Sequence, residues 1–145
     1  MHEDRDIIVV NKAAGLLTMG TGRDGGRTAH AALMDYVKKG NYKSRERVFI
    51  VHRLDRDTSG ALVFARSEEA KETLQANWKS AEKTYLAFVE GHPDPEEDTI
   101  SSYLVESEAR RVYSTRDTKA GRFSETQYKV IKTVGKRALL EVKLL

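Results

Sequence analysis

The sequence has no cysteine, only two prolines and a single tryptophan among its 145 residues. Lack of cysteine excludes disulfides, thiolate nucleophiles and cysteine-based zinc sites, and it fits a reducing, cytoplasmic setting. No apolar run is long enough to span a bilayer, and the first residues lack a secretory-signal pattern, so no membrane partner is expected. Both prolines sit together in His92-Pro93-Asp94-Pro95, which marks a break because proline cannot continue a strand ladder. Repeats, low-complexity tracts and linkers are absent as well. The length suits one domain, and a monomer is expected.

Charge, by contrast, is plentiful. Charged residues make up 32% of the chain, and the net charge of +3 hides strong local imbalance. Residues 110–122 hold five bases (Arg110, Arg111, Arg116, Lys119, Arg122) against Asp117 alone. Residues 38–56 hold seven bases against Glu46 and Asp55. An acidic loop, Glu90 to Asp98, offsets them with five carboxylates. Segregation of sign points to a basic face for a polyanion, with nucleic acid the leading candidate and ordinary solvated loops the alternative.

Hydrophobic patterning supplies the elements. Ile7-Ile8-Val9-Val10 reads as a strand buried on both faces. Thr28 to Lys39 reads as a helix, with Ala29, Leu33, Tyr36 and Val37 on one face, Thr28 as its cap and Gly40 as its stop. His30 has no second ligand at metal spacing and reads as structural. Val48 to Val51 and Ala61 to Ala65 read as strands. Ser67 caps a second helix with Glu68 and Glu69 in its first turn and an apolar face of Ala70, Leu74 and Trp78. That tryptophan reads as core packing rather than a stacking platform. Glu82 to Gly91 alternates as a strand, with Tyr85, Ala87 and Val89 on one parity and Leu86 and Phe88 on the other. Thr99 to Val105 is a further strand, Glu106 to Phe123 a basic connection with a turn at Ala120-Gly121, and Thr126 to Val134 with Arg137 to Leu145 a closing hairpin. Gly20-Thr21-Gly22-Arg23-Asp24-Gly25 spells G-x-G-x-x-G, but it does not directly follow the strand, so it reads as a flexible loop rather than a dinucleotide site. Two helices among mostly antiparallel strands give an α+β fold.

Between the strands at 48–51 and 61–65 lies His52-Arg53-Leu54-Asp55-Arg56-Asp57-Thr58-Ser59-Gly60. Charges pinned between hydrophobic elements must stay wet or paired, and loops held by rigid elements are common places for chemistry. A surface turn with ion pairs is the plainest reading. Asp55-Arg56-Asp57-Thr58 also spells D-x-D-T, which is similar to the haloacid-dehalogenase phosphohydrolases with their magnesium. That fold needs repeated strand–helix alternation, and this chain has two helices followed by a run of strands. An acid/base pair of glycosidase type is a third possibility, though two positions in a loop say little about carboxyl separation.

The same nine residues resemble the R-L-D-x-x-T-S-G signature of the RluA-type pseudouridine synthases, and the leading His52 favours that branch over the RsuA-type one. Asp6 to Leu16 is similar to the family's first motif, with Ala13 where proline is usual. Lys83-Thr84-Tyr85-Leu86-Ala87-Phe88-Val89-Glu90-Gly91 is similar to its K-x-Y-x-A-x-V-x-G strand, and Ser124 to Tyr128 to its A-x-T-x-Y segment, with Ser124 in place of alanine. The resemblance implies a catalytic domain over residues 1–145 that turns uridines of structured rRNA or tRNA into pseudouridine, with neither cofactor nor metal. It implies that Asp55 is the catalytic carboxylate and that Tyr85 contacts the uracil. Asp57 reads as a turn-capping or ion-paired group. The target nucleotide must leave its helix, and Arg53, planar and cationic, suits the gap left behind. The family's final motif, rich in Arg, His and Gln, is expected after a strand like Leu139 to Leu145. Nothing follows Leu145, so the sequence reads as C-terminally truncated, without the basic partner of Asp55. A non-catalytic RNA-binding domain is the competing class.

Overall fold

The computed structural model describes residues 2–20, 27–107 and 111–145. The glycine loop, apart from Gly20, and Arg110 of the basic segment lie outside the described residues. The chain divides into two compact units, Met1–Ser80 and Ala81–Leu145.

In the first unit four antiparallel strands form one sheet: β1 (His2–Glu3), β2 (Ile7–Lys12), β3 (Phe49–Ile50) and β4 (Gly60–Ala65), in the order β1-β2-β4-β3. Ile8 pairs with Phe64, Val10 with Leu62 and Lys12 with Gly60. Ile8, Leu62, Phe64 and Ala65 are buried and form the centre of the core. Each large apolar side chain in such a position contributes about 2 kcal/mol through removal from water. The expectation that 7–10 is buried on both faces needs correction, because Ile8 alone is fully buried and its neighbours are half-covered. Ile7, Val9 and Val10 each keep partial contact with solvent.

Helix α1 (Ala29–Lys38) starts where expected, with the Thr28 hydroxyl accepting the Ala31 N–H at 3.1 Å. It ends one residue early. Lys39 itself takes the left-handed conformation (φ 50°) and donates its N–H to Tyr36 O, so Gly40 follows the cap rather than forming it. His30 is structural: its Nε2 lies 3.1 Å from Val48 O and its ring stacks 6.2 Å from Phe64. Helix α2 (Glu68–Ala76) is capped by Ser67, whose hydroxyl accepts the Ala70 N–H. Trp78 falls beyond α2, in a 3-10 turn (Trp78–Ser80), and is half-buried rather than central to the core.

The second unit is one antiparallel sheet of five strands: β5 (Lys83–Glu90), β6 (Glu97–Glu106), β7 (Val112–Thr115), β8 (Arg122–Val134) and β9 (Arg137–Leu144), ordered β5-β9-β8-β6-β7. β8 and β9 close around Gly135-Lys136 as the sequence predicts. The stretch 106–123 is not a plain connection. It contains β7 and the start of β8, because Glu106 to Tyr103 pairs with Val112 to Thr115 and Leu104 with Arg122. Only four residues long, with Val112 and Tyr113 adjacent rather than alternating with polar residues, β7 has no period-two pattern of its own to announce it. The α+β class with antiparallel pairing holds, with its strands divided between two sheets.

Candidate active site

The loop between β3 and β4 is held by hydrogen bonds at several points along its length, while the Asp55 carboxylate is left free. At its start the Gln75 side chain of α2 donates to Val51 O at 3.1 Å and Ile50 O at 3.3 Å. His52 Nε2 accepts the Val63 N–H at 3.0 Å, just past the end of the β3–β4 pairing. Its ring stacks on Trp78, with centroids 4.3 Å apart and planes at 26°. Burial holds the His52 pKa below the ordinary histidine value, with a backbone contact at Arg53 acting weakly in the other direction.

Leu54 is buried, and both of its backbone groups end on one hydroxyl: Thr18 Oγ1 accepts the Leu54 N–H at 3.1 Å and donates to Leu54 O at 2.7 Å. Two residues on, Arg56 O accepts the Gly15 N–H at 2.8 Å and Lys12 Nζ at 3.0 Å. Lys12 is 2% exposed and uses its other two donors on Leu16 O at 2.6 Å and Ala13 O at 3.1 Å. Gly15 has φ 84°, a conformation that costs a side-chain-bearing residue about 1–2 kcal/mol. Residues 12–18 thus form a cradle for residues 54 and 56, and the Thr58 N–H closes the turn onto Asp55 O at 3.2 Å.

Asp55 stands between those two anchors. It is exposed, and among the described residues its carboxylate has no hydrogen bond or ion pair. Asp57 differs: Arg56 holds it through Nε and a terminal nitrogen at 3.2 and 3.4 Å, which agrees with its reading as an ion-paired turn residue. Arg53 is exposed on the same loop, and its guanidinium has no partner among the described residues. A carboxylate in open solvent with its backbone fixed on both sides can act as a nucleophile or take a proton without first being released from a partner.

Tyr85 belongs to the second unit. It is half-buried on β5 beside Ala87 and Val89, opposite Val142, and its hydroxyl has no hydrogen-bond partner among the described residues. Leu86 and Phe88 face the other way and are exposed, so the parity expected from sequence is the one observed. Asp55 and Arg53 therefore share one loop, and Tyr85 sits on a strand of the other unit. Lys12, Gly15, Thr18 and His52 carry roles that sequence reasoning did not assign. One signal for Lys12 was available: it shares the parity of Ile8 and Val10, so the strand carries its side chain to the covered face. No group of three or more His, Asp or Glu side chains placed to hold a metal occurs among the described residues.

An exposed, unpaired aspartate on a tethered loop is an arrangement that carboxylate chemistry can use. Residues 6–145 match the family model described as RNA pseudouridylate synthase. An uncharacterized RNA pseudouridine synthase of Synechocystis is 30% identical over 99% of this chain and 46% of its own length. The dual-specificity RNA pseudouridine synthase RluA of Salmonella typhi is 32% identical over 90% of this chain and 58% of its own. Human RNA pseudouridylate synthase domain containing 4 superposes with a TM-score of 0.80 over 99% of this chain and 57% of that one, at 23% identity, a likeness of fold. The chain belongs to the RNA pseudouridylate synthase family, in its RluA-type branch. It spans about half the length of the curated relatives it matches.

Proposed function

We propose that this chain isomerises specific uridines of structured RNA, ribosomal or transfer, to pseudouridine, and that Asp55 is the carboxylate that acts on the nucleotide. The observation that carries this reading is the state of Asp55: exposed and unpaired, yet flanked by backbone fixed at residues 54 and 56. The base must leave C1′ through N1, turn, and rejoin through C5, which gives up its hydrogen. An anionic oxygen can serve this course at C1′, at the base or at the C2′ proton, and each route needs a carboxylate that is free at the start. The target nucleotide leaves its helix to reach the loop, and Arg53 fills the space it vacates. Tyr85 supplies a ring for the uracil and a hydroxyl for the C5 proton. Family membership and the match of each motif support these assignments.

Release of tritium from RNA labelled at C5 of uridine tests the reading directly. Asp55→Asn is expected to lose release by at least ~10³-fold, with the urea midpoint unchanged, because the side chain makes no contact to lose. Asp57→Asn keeps most activity. Arg53→Ala weakens modification far more than Arg56→Ala. Equal activity of Asp55→Asn and Asp57→Asn would remove Asp55 from its role, and RNA binding without any tritium release by the unaltered chain would leave only a binding domain.

A further inference from the structure

Strands β6, β7 and β8 run together at one side of the second sheet as a three-stranded arm. Its registers set Tyr103 opposite both Thr115 and Phe123, and Val105 opposite Tyr113. Directly opposed residues share a face, so Tyr103, Tyr113 and Phe123 lie on one side of the arm. Tyr103 and Phe123 form a tilted pair with centroids 5.3 Å apart. Phe123 and Tyr113 remain 52% and 54% exposed. Aromatic rings placed in water with this regularity are unusual, since exposure forfeits the burial that ordinarily holds them.

The turn that joins β7 to β8 is firmly built. Asp117 Oδ1 accepts the N–H groups of Lys119 and Ala120 at 2.9 and 3.3 Å, and Asp117 O accepts that of Gly121 at 3.1 Å. A Cβ on Gly121 would lie 2.6 Å from Tyr103 Cβ and 2.9 Å from Thr115 Cγ2, so the turn rests directly on the aromatic face. Asp117 is engaged with backbone, whereas Arg111, Arg116 and Lys119 have no carboxylate partner among the described residues. Cations around the rim of an aromatic face are complementary to a polyanion that has flat rings of its own.

We propose that this face is a stacking platform for unpaired nucleotides of RNA, with the basic residues around it meeting their phosphates. The inference rests on the RNA reading above and goes beyond it. Tyr85 shares a cross-strand row with Val142 and Tyr128, and Phe123 lies five positions before Tyr128 on the same strand, so the platform is on the opposite face of the sheet from Tyr85. Its ligand is therefore flanking RNA, not the uridine under attack. Bases bind here by their π-faces, so the platform favours single-stranded over duplex RNA and has little preference for sequence.

Fluorescence anisotropy with a short unstructured RNA oligonucleotide, and with a blunt duplex of the same length, tests this on the full chain. Three double variants at Tyr113 and Phe123 are compared: to Ala, to Leu and to Trp. The Ala and Leu pairs are expected to lose about ten-fold or more in affinity for the single strand, with duplex affinity changed by less than about two-fold, and the Trp pair to retain single-strand binding. Leu keeps apolar area without a π-face, so single-strand binding retained by the Leu pair would overturn stacking. Equal loss on both RNAs, or none on either, would overturn it too. Sedimentation provides the remaining check: a dimer that dissociates in the Leu pair would assign the face to a second copy instead. If the unaltered chain binds neither RNA, the RNA reading itself fails. Binding of both with no effect of the variants removes the platform and leaves that reading standing.

Discussion

Three carbonyl oxygens converge on Lys12 Nζ, and one of them belongs to Arg56, 44 positions along the chain. Lys12→Met keeps the length of the side chain and removes all three bonds. The expected cost is about 3 kcal/mol, from charge-assisted bonds lost in a buried setting, read as a lower urea midpoint. Turnover should fall as well, since the anchor at residue 56 is weakened. His52 gives a second prediction at this scale. Its folded pKa is depressed, so the folded protein binds the proton less readily than the unfolded chain, whose histidine titrates near about 6.5. The stability it confers is fully present above that value and is lost as pH falls through the lowered folded one. Protonation also places a donor against the Val63 N–H that Nε2 accepts. Urea midpoints followed from about pH 7 down to about pH 5 should fall more steeply for the natural chain than for His52→Gln. Residue roles such as these were hard to read in advance. The Lys12–Arg56 and Thr18–Leu54 bonds join segments that only the folded sheet brings together, and no local pattern encodes them. Asp55 and Tyr85, by contrast, stand within contiguous motifs, and the alternation around Tyr85 fixed its face.

Elements were legible where chemistry is local. Thr28 and Ser67 cap the helices they precede, and Gly135 sits in the turn of the hairpin expected around it. β1 and β7 were not legible, because two- and four-residue strands exist only through their partners' registers. Gly121 belongs to this scale. Its close approach to Tyr103 and Thr115 means that Gly121→Ala must push the turn off β6. A loss of about 1–3 kcal/mol is expected, with hydrogen exchange accelerated first at Val112–Thr115. Unchanged protection in β7 would show that the turn yields without cost.

At the scale of the whole molecule, charge is the property that matters. The formal charge of +3 is small, yet its distribution along the chain is uneven, with bases gathered at 38–56 and 110–122 and carboxylates at 90–98. RNA affinity should therefore fall steeply with salt even though the molecule is nearly neutral. For single-stranded RNA, each phosphate contact adds about 0.7 to the slope of log K against log salt. Arg116→Gln with Lys119→Gln should flatten that slope by about 1.4 if both meet phosphate, and an unaltered slope would place the contacts elsewhere. Division into two compact units adds a further point about the tethered loop. Every anchor of residues 54 and 56 comes from residues 12–18, within the first unit. With the peptides on either side held, the acid can swing only about its own two side-chain bonds. Its place is settled once the polypeptide has folded, and under the proposed function an arriving strand would meet a charge already in position instead of a segment it must first organise.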